Sequence, residues 1–248
     1  AARLVEPAMP ADLVAVLAAD APTAPGDPSR ALQDAGLVLD HSIAQSRPRY
    51  LAYVGSSGLE IGAVADLLAH SYDVNLAVDA RAASLLERQT SRWLADFLGF
   101  PATAGWFTSG GTVSNLSALA AARERALPGS RHDGVQAGSA AVYCSAEVHY
   151  SVRRGAELLG LGGRAVRDIP IDPRTRGLRP DALAAAIDAD VAAGVAPVAV
   201  VATAGTTLTG AVDPLDAIAD VCAERGVWMH VDGAYGVPAA AAQSAAQS

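Results

Sequence analysis

The stretch Val198-Ala-Val-Val-Ala-Thr-Ala-Gly-Thr-Thr207, followed through to Val227-Trp-Met-His-Val-Asp-Gly-Ala-Tyr235, decides the fold. Two apolar runs of strand length flank Leu215 to Arg225, whose apolar residues recur at helical spacing. A strand, a helix and a second strand in that order form a βαβ unit, which requires parallel pairing. The runs end in small or polar residues, Thr206-Thr207 and Asp232-Gly233-Ala234. In an open parallel sheet ligands sit beyond the carboxyl ends of the strands. Thr207 and Asp232 are therefore expected to reach one crevice from neighbouring strands.

Outward from this unit the pattern repeats. Ala140 to Ser145 and Arg164 to Ile171 read as strands, Pro180 to Ala193 as a helix and Asp172 to Gly177 as a turn. Asp79 to Leu98 is a long amphipathic helix stopped by Gly99-Phe-Pro101. The alternation predicts an α/β fold, a mostly parallel sheet flanked by helices. Ahead of it, Ala1 to about Gly26 read as an amphipathic helix followed by a breaker cluster, Ala21-Pro-Thr-Ala-Pro-Gly-Asp-Pro28, and a second helical piece runs from Pro28 to Asp40; together they form an amino-terminal arm. The predicted division is an arm and entrance segment over 1–60 and a large domain over 61–248. The tail from Pro238, rich in Ala, Gln and Ser, reads as a frayed end.

Thr108-Ser-Gly-Gly-Thr-Val-Ser-Asn115 precedes an alanine-rich helix expected from Leu116 to Arg125. A glycine-rich turn at a helix amino terminus offers free N–H groups and the positive end of the helix dipole to an anion. An ordinary helix start capped by Thr112 or Ser114 is the alternative. No glycine-x-glycine-x-x-glycine is present, which disfavours a dinucleotide.

Composition sets bounds on function. The chain has 248 residues and a net charge of −8, which argues against nucleic acid, a ligand that needs a basic footprint. No apolar run is long enough to span a bilayer, and the amino terminus lacks the layout of a secretory signal. Cys144 and Cys222 read as buried reduced thiols, which fits a cytoplasmic location, with a disulfide between them as the alternative. All eighteen basic residues are arginine, so the chain contains no lysine.

Three linked pieces carry a family resemblance: Ala202-Thr-Ala-Gly-Thr-Thr207, Gly210-Ala-Val-Asp213 and His230-Val-Asp-Gly-Ala-Tyr235. At this spacing the chain resembles the group II amino-acid decarboxylases, fold-type I enzymes dependent on pyridoxal 5′-phosphate. The resemblance covers Arg47 to Val237 and implies decarboxylation of an L-amino acid to an amine and carbon dioxide. Other fold-type I reactions (amino transfer, carbon–carbon cleavage or aldehyde synthesis) share these parts and stay open.

The resemblance also implies roles. Gly110, Gly111 and Thr112 would hold the cofactor phosphate, and His149 would stack on the pyridine ring. Asp232 would pair with the pyridine nitrogen, Ala234 would pack on the other ring face, and Thr207 would lie near the cofactor oxygens. Tyr50 or Tyr53, in Arg47-Pro-Arg-Tyr-Leu-Ala-Tyr53, would stand at the entrance. A homodimer is implied, and no metal ion enters this reading. The family carries its cofactor on a lysine, which the resemblance places past Ser248. The chain is thus expected to be the amino-terminal portion of a longer enzyme, with an incomplete sheet; a lysine-free, non-catalytic module is the rival reading.

Overall fold

The computed structural model describes residues 9–42, 58–76, 80–101 and 104–245. The entrance segment with Tyr50 and Tyr53 lies outside the described residues. The chain divides into two units, Ala1–Ser71 and Tyr72–Ser248.

In the first unit, α1 spans Ala11–Leu17 and α2 spans Pro28–Asp40, with α1 against α2. Asp27 starts α2: its carboxylate accepts the Ser29 N–H, and Pro28 occupies the first helical position. That pairing satisfies one orphan donor and uses a residue with none to offer. Helix α3, Glu60–Tyr72, runs to the boundary.

The second unit holds α4 (Ala82–Leu98), α5 (Gly111–Ala126), the single turn α6 (Ser130–Asp133), β1 (Ala140–Ser145) and α7 (Tyr150–Leu158). Then come β2 (Val166–Ile169), α8 (Pro180–Ala192), β3 (Ala196–Thr203), α9 (Leu215–Arg225), β4 (Trp228–Asp232) and α10 (Ala240–Ala245). The four strands are parallel, in the order β2-β1-β3-β4.

Both faces of the sheet are covered, so its strands are apolar throughout rather than alternating. Val142, Cys144 and Val201 pack on one face with Leu119 of α5 and Val152 of α7. Tyr143, Val200 and Ala202 pack on the other with Leu183 and Ile187 of α8 and Ile218 of α9. Each fully buried Leu, Ile or Val contributes about 1.5–3 kcal/mol. Tyr143 carries a polar tip in that second layer. Its hydroxyl donates to Asp190 at 2.9 Å, and Arg167 grips both oxygens of the same carboxylate at 3.0 Å. Cys144 and Cys222 are free and lie in opposite layers, and burial pushes their thiols up to about 12 and about 11.

Three expectations change. Helix α5 begins at Gly111, five residues before Leu116, so five of the eight residues from Thr108 to Asn115 are already helical. The predicted loop after Pro128 contains α6. Beyond Pro238 the chain is helical through Ala245, because an alanine-rich run has high helix propensity and α10 packs on α4.

Candidate active site

Parallel strands deliver their carboxyl ends to one edge, and the site is built there. In the ladder Thr203, the last residue of β3, stands opposite Asp232, the last of β4. His149 follows β1 and caps α7, its ring nitrogen Nδ1 accepting the Ser151 N–H at 3.3 Å. The ring also lies 4.3 Å from that of Tyr150, tilted by 46°.

A buried amide ties these pieces together. Asn115, 3% exposed in the second turn of α5, donates from Nδ2 to Asp232 Oδ2 at 2.9 Å and to Ser151 Oγ at 2.9 Å. Its Oδ1 lies 2.7 Å from His230 Nε2. Ser151, 1% exposed, has its Oγ 2.7 Å from His149 Nδ1. The second carboxylate oxygen of Asp232 accepts the N–H of Ala234 at 3.3 Å. Burial holds the His230 ring below its ordinary value of 6.5, against an opposing pull from Asp232, which favours its neutral form.

The open start of α5 lies one turn away. Gly110 precedes the helix with φ 131° and ψ 167°, a conformation that only glycine adopts readily, and its residue type offers no side-chain cap. Neither Thr112 nor Ser114 caps the helix. Ser114 Oγ instead meets Thr108 Oγ1 at 2.7 Å, and the Gly110 carbonyl accepts the N–H groups of Val113 and Ser114. Gly111 and Thr112 are exposed residues, and their N–H groups precede the first intrahelical bond. A Cβ placed on Gly111 would stand 3.8 Å from the Ala234 Cβ, so the loop and the end of β4 form adjoining walls.

Thr207 is not brought into this cluster; its side chain is exposed. The neighbouring Thr206 is buried and braces its own turn, pairing with Thr209 Oγ1 at 2.7 Å and accepting the Ala211 N–H at 3.1 Å. Thr203, by contrast, has a buried hydroxyl without a partner among the described residues. It shares the sheet face of Asp232. Asp213 is buried and accepts the N–H groups of Thr203 and Leu178, both at 2.7 Å, which fixes the end of β3. Its carboxyl is raised above the usual value by burial, and the two N–H groups oppose that shift. The turn after β4 is clamped too. Gly236 donates to the Ala204 carbonyl at 2.8 Å, and a Cβ there would fall 2.3 Å from that oxygen.

Asn115, Ser151, Thr203 and His230 have no role in the sequence reading. His230 and Thr203 stood inside the quoted family motifs and Asn115 closed the glycine-rich stretch, but none of them was singled out.

The fold is thus a doubly wound sheet with an anion-ready helix terminus and a carboxylate at its ligand edge. Residues 10–244 match the family described as "Pyridoxal-dependent decarboxylase conserved domain", and the chain belongs to that family. It is 38% identical over 195 residues to an aromatic-L-amino-acid decarboxylase of Bacillus atrophaeus, covering 77% of this chain and 39% of that protein. It is 35% identical over 216 residues to a cysteine sulfinic acid decarboxylase of Rattus norvegicus, covering 84% of this chain and 42% of that one. Among solved structures, Oryza sativa TDC with PLP and tryptamine superposes with a TM-score of 0.84 at 30% identity, over 95% of this chain and 51% of that one. The chain spans about two fifths of the length of the curated relatives it matches.

Proposed function

We propose that the protein serves pyridoxal 5′-phosphate-dependent decarboxylation of an L-amino acid to the corresponding amine and carbon dioxide. The observation that carries this reading is the placement of Asp232 against Asn115, four residues into α5 from the exposed Gly111. Four residues of helix span about 6 Å. The carboxylate and the anion site thus stand beside successive turns of one helix, an arrangement that suits a flat pyridine ring with a phosphate on its arm. The donor set fits both ends of such a group, and the orphaned hydroxyl of Thr203 adds a polar atom on the same face.

In this assignment Gly110, Gly111 and Thr112 hold the phosphate through backbone N–H groups, helped by the helix dipole. Asp232 keeps a proton on the pyridine nitrogen by a charge-assisted hydrogen bond. His149 covers one ring face, and Ala234, with the smallest chiral side chain, leaves room at the other. Thr203 is better placed than Thr207 to meet a cofactor oxygen. When bound, pyridoxal phosphate supplies the sink for the electron pair left as the carboxylate departs. The protein's part is to orient the substrate and to keep that sink protonated.

The substrate side chain is left open by relatives that act on aromatic and on sulfinic amino acids. We assign a homodimer on the family resemblance and on the large apolar side chains that α4 exposes, Trp93 and Phe97 among them. A cytoplasmic setting accords with two free, buried cysteines in separate layers. Among the described residues no helix is long and apolar enough to cross a membrane.

Equilibrium dialysis with pyridoxal phosphate, competed by inorganic phosphate, tests the site. Carbon dioxide release from aromatic, acidic and diamino L-amino acids, in a longer polypeptide that brings a lysine, tests the reaction. Saturable, phosphate-competed binding and release from one substrate class are expected. No saturable binding, or no release from any class, overturns the proposal.

A further inference from the structure

The hydrogen bonds around Asn115 have a direction, and the direction follows from chemistry. An ionised carboxylate only accepts, so the Asn115 group facing Asp232 Oδ2 must be the NH2. Its second N–H then points to Ser151 Oγ, and its oxygen accepts from His230, whose Nε2 must carry the proton. Because Ser151 Oγ accepts from Asn115, its own proton is free to go to His149 Nδ1, 2.7 Å away. The Ser151 backbone N–H points at the same nitrogen. Two donors converge on Nδ1, so the proton of the neutral His149 ring resides on Nε2.

We infer that Asn115 and Ser151 are positioning residues that transmit the orientation set by the Asp232 carboxylate to His149, fixing it as the Nε2–H tautomer. This role rests on the proposed function, in which Asp232 and His149 serve one cofactor. The relay leaves His149 a single donor, at Nε2, with the ring held by its cap on α7. A donor at that position suits the carboxylate of an amino-acid substrate. A ring free to exchange tautomers would present a donor there only part of the time.

The protein labelled with 15N-histidine reports this directly, because a bare and a protonated imidazole nitrogen resonate far apart. The His149 signals are identified by their loss in His149→Gln. In the wild type at pH above 7 we expect Nδ1 bare and Nε2 protonated. In Asn115→Leu and in Ser151→Ala the two signals should converge as the tautomers mix, and Ser151→Thr, which keeps the hydroxyl, should restore their separation. The backbone amide of Tyr143 in β1 reports that each variant is folded. Ser151→Ala removes a single oxygen and serves if Asn115→Leu does not fold, and the wild-type pattern decides on its own if neither does. Protonated Nδ1 in the wild type, or an unmoved pattern in a folded variant, overturns the inference. The readout needs no cofactor. A fixed tautomer in a protein that binds no pyridoxal phosphate keeps the relay and sinks the functional reading. Mixed tautomers in a protein that binds it do the reverse.

Discussion

The Asp232 carboxylate and the Asn115 amide are joined at 2.9 Å across 117 residues of sequence. The bond connects the end of β4 to the second turn of α5, and so connects the two halves of the proposed cofactor site. Among the described residues it leaves the second oxygen, Oδ1, with the Ala234 N–H at 3.3 Å. A carboxylate pinned on one side and lightly held on the other is suited to receive a protonated ring nitrogen.

Asp232→Asn tests that assignment. The amide oxygen can still accept from Asn115, so the fold and melting temperature should hold. The negative charge that keeps the pyridine protonated is gone. Loss of one preorganised electrostatic partner costs about 10²–10³ in kcat. In a lysine-bearing polypeptide we expect a fall of at least about a hundredfold, with the variant melting as the wild type does. Turnover within a few fold of normal would reject Asp232 as the nitrogen partner.

His230 makes stability depend on pH. Its folded-state value is depressed by burial, so the unfolded chain binds the proton more readily. The stabilisation is complete above the ordinary value of 6.5 and is lost as pH falls through the lower, folded-state value. One proton gives a slope of at most about 1.4 kcal/mol per pH unit. Urea unfolding between pH 7 and 5 should show the wild type weakening more steeply than His230→Gln, whose amide can still donate to Asn115. Parallel curves would show that His230 is not the group responsible.

Gly110 tests the anion site. Its φ of 131° with ψ of 167° is strained for any residue with a Cβ, at a cost of about 1–3 kcal/mol. There is open space around the position, so backbone strain rather than a clash is what Gly110→Ala introduces. Inorganic phosphate should shift the amide signals of Gly111 and Thr112 first in the wild type. In Gly110→Ala the phosphate midpoint should rise by about tenfold, because the helix start must move to relieve the strain. Phosphate shifts centred on another segment would remove the site from this loop.

The sequence shows the frame of this molecule more clearly than its polar interior. Helices α2 and α9 and strand β1 were legible to the residue, because Pro28, Gly226 and Ser139 punctuate clean apolar periods. The start of α5 was not: Gly111-Thr-Val-Ser-Asn115 has no apolar period, and its helical state comes from packing on α7 and β3. Asp232 and His149 could be found because each closes a strand-end motif. The roles of Asn115 and Ser151 could not, since their hydrogen bonds join residues up to 117 apart and leave no local pattern, and His230 surfaced only as part of the motif that holds Asp232. Thr207 shows the converse limit. A motif names a pair of threonines, but the turn that buries Thr206 and exposes Thr207 is set by Thr209 and Ala211.

The last prediction concerns the absence of lysine. All eighteen basic residues are arginine, and arginine does not lose its proton in proteins. The 248-residue chain therefore offers no side-chain amine to the cofactor aldehyde. Pyridoxal phosphate should bind this chain non-covalently and leave on gel filtration. After borohydride treatment, peptide mapping should find no pyridoxyl group on residues 2–248, and the chain alone should release no carbon dioxide from any L-amino acid. A side-chain adduct, or catalytic release by the chain alone, would mean that another group anchors the cofactor. The assignment of phosphate loop and Asp232 would then have to be rebuilt around that group.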